Sequence, residues 1–316
     1  MPRLAARCAP SSREGLTIVE LLVVMVLFGV IGTVIIRTLN SQQQFFKDQA
    51  NLIDGRRQLR LGASVLPVDL RAMSTVGGDV KSMAEDQIVI NAPIGSSIVC
   101  ARTNSTLTIP PTNLARNILS SWYSLPVAGD TLYVYNENVL DGSEDDVWEK
   151  FAITAVDKSL SACPGAPYTD ALLDPPATKP RFIVTVDISA RVIPDSVKVG
   201  AVIRFTRPIR YRLQQQGSAG RSYLTLEEYR AGAWQVAEPV AGPYRPFAAG
   251  DAAGSGLQFR YFDTTGTRIT NMASTVQVGR VDVYLRSDRG NAAFAGRNHA
   301  PLRDSVLMRI AVRNAR

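Results

Sequence analysis

The run "LTIVELLVVMVLFGVIGTVII", Leu16–Ile36, constrains this chain more than any other stretch. Sixteen of its 21 residues are Leu, Ile, Val, Met or Phe. As a helix it reaches about 32 Å, against a bilayer core of about 30 Å. Apolar residues contribute roughly −0.3 to −0.6 kcal/mol each on an insertion scale, so the run gains about 5–10 kcal/mol in lipid. Its single charge, Glu20, costs at most about 3 kcal/mol there. Insertion wins, and the run is expected to be a transmembrane helix over 16–36. Arg3, Arg7 and Arg13 precede it against Glu14 alone. That bias keeps the N-terminus in the cytoplasm and sends everything beyond Arg37 to the exported side.

A secretory signal is cut at small residues after its apolar region. No such site follows Ile36; the small residue stands before the run, at Gly15. The stretch "EGLTIVELLVVMV" resembles the cleavage and methylation motif of type IV prepilins, usually written G-F-T-L-x-E. Gly15, Thr17 and Glu20 match it, and Leu16 stands where Phe is usual. The resemblance implies that residues 1–15 are a leader, that a prepilin peptidase cuts between Gly15 and Leu16, and that the new amine of Leu16 is methylated. It also implies a partner for Glu20 in lipid: the positive N-terminus of a neighbouring subunit.

The next segment, residues 37–76, is expected to prolong the helix as an amphipathic rod. Phe45, Leu52, Leu59 and Leu66 recur every seven residues, with Leu70 and Met73 beyond, and Gln, Lys and Arg occupy the other faces. The seam is too polar for a coiled coil, so the stripe is expected to pack on the protein's own sheet. Gly55 and Gly62 weaken the rod by about 1 kcal/mol each relative to Ala, and Pro67 is expected to kink or end it.

After Gly77-Gly78 the pattern becomes that of strands. "QIVI", "TLYVY", "VWEKFAITAV", "RFIVTVDIS", "AVIRFTRPIRYRLQ", "SYLTLEEYR", "LQFRYFDTTG", "VQVGRVDVYLRS" and "SVLMRIAVRN" are β-branched or aromatic and often alternate. The expected fold is α+β: a long N-terminal helix packed on a mostly antiparallel β head over 77–316, with a loop-rich insert at about 94–180. The Arg-rich strands, the "SYLTLEEYR" hairpin and the closing "MRIAVRN" resemble the layout of PilW-like minor pilins. J-type pseudopilins of the type II secretion system share much of it. The resemblance implies a structural subunit in the bacterial inner membrane, with a periplasmic head, later taken into a pilus or pseudopilus. Its implied partners are the prepilin peptidase, other pilin subunits and membrane lipid.

Charge is distributed unevenly. Residues 71–200 carry 10 basic and 15 acidic residues; residues 201–316 carry 17 Arg, no Lys and 8 acids. An Arg-rich β face is a candidate DNA surface, since arginine grips phosphate bidentately and stacks on bases. No motif organises these arginines, and the lack of Lys reads as a compositional bias, so the acidic region is an equally good partner for them. Cys100 and Cys163 remain once the leader carrying Cys8 is removed, an even pair on the exported side and a candidate disulfide. A bridge there closes a loop worth about 4 kcal/mol in the chain-entropy model.

Nothing indicates an enzyme or a cofactor. His299 is the single histidine, in the polar stretch "AGRNHAPLRD". No P-loop, zinc-type CxxC pair or nucleophile elbow is present. The acidic loop Asp141–Asp146 lacks EF-hand spacing and reads as a solvated turn. A membrane-anchored exported adhesin, DNA-binding protein or enzyme behind a plain signal anchor is the competing reading from another class.

Overall fold

A computed structural model describes residues 15, 17–116, 119–137, 146–161, 163, 168–170, 172–217, 220–250, 253–288 and 304–312. One helix, α1 (Ile18–Ala72), opens the chain. Among the described residues sixteen strands follow: β1 (Val80–Met83), β2 (Gln87–Ile98), β3 (Ala101–Arg102), β4 (Thr106–Ile109), β5 (Ser121–Trp122), β6 (Thr131–Asn136), β7 (Val147–Ser159), β8 (Arg181–Val186), β9 (Val202–Gln216), β10 (Arg221–Arg230), β11 (Ala233–Trp234), β12 (Glu238–Tyr244), β13 (Leu257–Phe262), β14 (Arg268–Ile269), β15 (Arg280–Arg286) and β16 (Ser305–Ala311). The pairings are antiparallel, and the architecture is α+β.

The strands form a twelve-stranded sheet and a four-stranded sheet ordered β14-β13-β15-β16. The spine of the larger sheet is β9. Along one edge it pairs with β2 from Val202↔Ile98 to Arg212↔Gln87. Along the other it pairs first with β6 (Ile203↔Val134, Thr206↔Thr131) and then with β10 (Ile209↔Glu228 to Gln216↔Arg221). Because β9 changes partner midway, the sheet splits into two leaves, each with a core.

One core joins Leu59, Leu66, Leu70 and Met73 to Ile88 and Ile90 of β2, Tyr211 of β9, and the inner face of the small sheet, including Phe259, Val283, Leu285 and Ile310. The other gathers Ile94, Leu107, Leu132, Val134, Phe151, Val184, Ile203 and Phe205. Strand β2 feeds both, and its register shifts between Pro93 and Gly95, where it passes from one core to the other.

Several expectations about the helix are corrected here. Pro67 does not end α1, which continues to Ala72. Leu66 and Leu70 on either side of it are fully buried and hold the helix against the head, so packing outweighs the hydrogen bond that proline forfeits. The seven-residue stripe docks only in its second half: Phe45 is 53% exposed, and burial begins at Gly55. Gly62 is a contact rather than a weak point. A Cβ there would meet Tyr244 Oη at 2.5 Å and Leu285 Cδ1 at 2.8 Å. In the expected insert, 94–180, β3 to β7 form, and β4, β6 and β7 contribute to the second core.

Polar contacts flank the docked half of the helix. Tyr211 Oη donates to Asp69 Oδ2 at 2.6 Å, Tyr244 Oη donates to the Gln58 carbonyl at 2.8 Å, and Arg56 Nε reaches Asp304 at 2.9 Å. Burial pushes the Asp69 carboxyl up from its ordinary range, against the Tyr211 hydrogen bond.

Candidate functional site

The first turn of α1 is built by Thr17 and Glu20. Thr17 is the N-cap, with extended backbone, and its hydroxyl accepts from the Glu20 amide at 3.3 Å. Glu20 reaches back, and its Oε2 accepts from the Thr17 amide and the Thr17 hydroxyl, both at 3.0 Å. This is a capping box, which satisfies helix N–H groups that otherwise lack partners. Sequence reasoning gave Glu20 an intermolecular partner and missed this local one. The signal was present as Thr-x-x-Glu ahead of an apolar run. Gly15 lies two residues before the cap, exposed and with no heavy atom within 4 Å of where a Cβ would stand. Leu16, the other residue of the expected processing site, lies outside the described residues.

From Ile18 to Ile36 the helix makes no contact that buries it. Ile18 is 82% and Phe28 71% exposed, and the most apolar window has mean hydropathy 2.8 with none of it buried. Nineteen helical residues rise about 28 Å, enough by length and composition to cross a membrane. The polar side chains along it are bonded within the helix. Besides the capping pair, the Thr33 hydroxyl donates to the Gly29 carbonyl, and the Thr38 hydroxyl donates to the Val34 carbonyl at 2.9 Å. A helix with its polar groups closed on itself loses little on leaving water.

Cys100 and Cys163 are joined by a disulfide, with Cα atoms 5.4 Å apart, inside the limit of about 7 Å for bridging. Both are buried, and the bond fastens the chain beyond β7 to the turn between β2 and β3. A hub at Asp174 holds the same region. Its Oδ1 accepts from the Ala115 amide and Lys179 Nζ, each at 2.9 Å, and its Oδ2 from the Asp170 amide at 3.0 Å. Burial pushes this carboxyl up, but the donors outweigh it and hold its pKa at about 2. Arg181, 1% exposed, donates to the Asp174 and Lys179 carbonyls.

The remaining candidates separate. His299 and residues 141–145 lie outside the described residues; Asp146 accepts from the Tyr135 hydroxyl. Among the described residues no three His, Cys, Asp or Glu side chains are grouped to hold a metal ion. Three arginines of β9 are ion-paired within the head, and the fourth, Arg204, lies over the Trp148 ring. Arg207, 1% exposed, grips Asp130 through Nε at 2.9 Å and Nη2 at 2.8 Å, and reaches Glu228 at 3.0 Å. Arg210 and Arg212 converge on Glu227, whose carboxyl burial raises but the two guanidiniums pull below its ordinary value. The acidic half does supply partners, Asp130 to Arg207 and Glu85 to Arg268 at 3.0 Å, alongside acids of the Arg-rich half itself.

No family model, curated protein or solved structure matches this chain.

Proposed function

We propose that the protein is a non-enzymatic structural subunit of a type IV pilus, a PilW-like minor pilin that is anchored in the inner membrane and then taken up into a filament or its priming complex. The observation that carries this reading is one unbroken helix with two environments. Its first 19 residues are apolar and uncovered, and its last turns are locked into a β head. Such a rod can be held by lipid while a folded domain stays outside, and it couples the two without a flexible linker. The division into a spanning half and a docked amphipathic half belongs to this proposal. So do cleavage after Gly15, methylation of Leu16 and the pairing of Glu20 with a neighbour's N-terminus. The capping box gives Glu20 a resting partner in the isolated subunit, one that a neighbouring amine competes with in the filament.

Intact-mass and N-terminal analysis of the membrane-extracted protein tests the reading. A chain beginning at methylated Leu16 is expected. A chain beginning at Met1, or cut after Ile36, overturns the pilin assignment. Replacing Glu20 with Ala removes an insertion cost and keeps the protein in the membrane, while incorporation into filaments falls. Unchanged incorporation removes the role proposed for Glu20.

A further inference from the structure

Opposite the face that docks on the head, α1 carries a second apolar stripe. Leu39, Phe46, Ile53, Leu61 and Val68 stand 43–69% exposed. At about 100° per residue they fall within an arc of about 80°, whose centre lies about 180° from that of the buried Gly55, Leu59, Gly62, Leu66 and Leu70. They recur at steps of seven or eight residues, the spacing of a helix that packs along another helix. Single exposed apolar residues need no explanation, but alignment along about 44 Å of one face does.

The positions between them are short or basic. Ala50 and Ser64 are exposed on the same arc, and Ala63, Ser64, Pro67, Val68 and Arg71 line a groove there. Arg57 and Arg71 share the arc, Arg60 borders it, and all three are exposed. Their neighbour Arg56 is paired with Asp304, but among the described residues no ion pair holds Arg57, Arg60 or Arg71. Of the two acids between residues 53 and 72, Asp69 accepts from Tyr211 and Asp54 is engaged by another group. The face is therefore apolar along its line and basic beside it.

We propose that this face seats a helix of a different protein subunit, one with apolar residues along its seam and Glu or Asp beside them to meet Arg57, Arg60 and Arg71. Two arguments select this occupant. A parallel second copy sets Arg57 against Arg57 and Arg71 against Arg71, and like charges across a seam oppose pairing. Lipid is out of reach, because Ile53 and Val68 stand about 25 and 48 Å beyond Ile36 along the helix, while a headgroup layer is about 5–8 Å deep. The second argument rests on the reading of residues 18–36 as a membrane span, which also rules out an antiparallel second copy.

The test is fluorescence anisotropy of the full chain in zwitterionic micelles with two labelled synthetic helical peptides. Both carry Leu along one seam, flanked by Glu in one and by Lys in the other. The Glu peptide is expected to bind at least about tenfold more tightly than the Lys peptide. Ile53→Ser/Val68→Ser is expected to weaken the Glu peptide roughly tenfold. Arg57→Glu/Arg60→Glu/Arg71→Glu is expected to exchange the preference, which loss of fold alone does not do. All five positions are exposed, so thermal melting is expected to stay unchanged. If the triple variant melts early, Arg57→Glu/Arg60→Glu probes the same preference. Equal binding of the two peptides, or an unchanged preference in the Glu variants, overturns the proposal. So does self-association that Ile53→Ser/Val68→Ser abolishes, which assigns the face to a second copy. Displacement of the Glu peptide by phosphatidylglycerol added to the micelles assigns the face to lipid headgroups and overturns it as well. A chain that starts at methylated Leu16 but binds neither peptide fails this inference alone, whereas one that starts at Met1 and still prefers the Glu peptide fails the pilin reading alone.

Discussion

The two ends of α1 both carry large apolar side chains, 15 of 19 residues over 18–36 and 6 of 19 over 54–72, and these meet opposite fates. Between Ile18 and Ile36 such residues stand 45–82% exposed. Between Leu59 and Leu70 the leucines of the inward stripe, Leu59, Leu66 and Leu70, are at most 3% exposed, while Leu61 and Val68 off the stripe stand 43% and 68% exposed. The difference lies in the partner. The second half packs on β2, β12, β15 and β16, with aromatic and aliphatic side chains placed to receive it. The first half extends beyond the head and finds no surface of its own chain. A uniformly apolar helix has no face to prefer, whereas a striped one selects its side. Amphipathicity therefore decides where this helix docks, and total hydrophobicity decides where it does not.

The largest expected effect tests the docked half. Leu66→Ala empties a fully buried site and is expected to destabilise the head by about 2–5 kcal/mol. Leu27→Ala, at a 55% exposed site, is expected to change head stability by less than about 0.5 kcal/mol. Urea unfolding of both variants in micelles, followed by head-domain fluorescence, compares them directly. Equal losses would mean that the two halves are not independent.

The converse substitution comes next. Val26→Arg sits at the middle of the apolar run and costs about 3 kcal/mol of insertion. Its share of the carbonate-washed membrane fraction is expected to fall while the melting temperature of the head stays unchanged. A drop in melting temperature with full membrane retention would reverse the division between the halves.

A glycine pair gives the smallest effect and sharpens the contrast. Gly62→Val drives a side chain into Tyr244 and Leu285, with an expected loss of about 1–3 kcal/mol. Gly32→Val meets nothing within 4 Å, and no loss in head stability is expected. Thermal melts of the two variants are sufficient.

Much of the fold was readable because its signals are local. "TLYVY", "VWEKFAITAV" and "SYLTLEEYR" fall within β6, β7 and β10, since alternation and β-branching act over a few residues. Strand β12, "EPVAGPY", was not readable. Pro239, Gly242 and Pro243 signal a break, yet the segment pairs with β10 and is tolerated there with one neighbour in the large sheet. The second core was also hidden. The short strands β3, β4 and β5 carry weak patterns singly, and the readable β6 and β7 become part of a core only when β2 and β9 are shared between two leaves.

At the candidate site the same division holds. The apolar run, the Thr17–Glu20 spacing and the pair of cysteines left outside the leader are properties of the sequence alone, because each depends on neighbours in the chain or on simple counting. Which half of α1 is covered, that Gly62 is a close contact and that Pro67 is passed were decided by tertiary structure. Each depends on registers between strands far apart in the chain, and a residue's surroundings there are fixed by the pairing rather than by its own flanking residues.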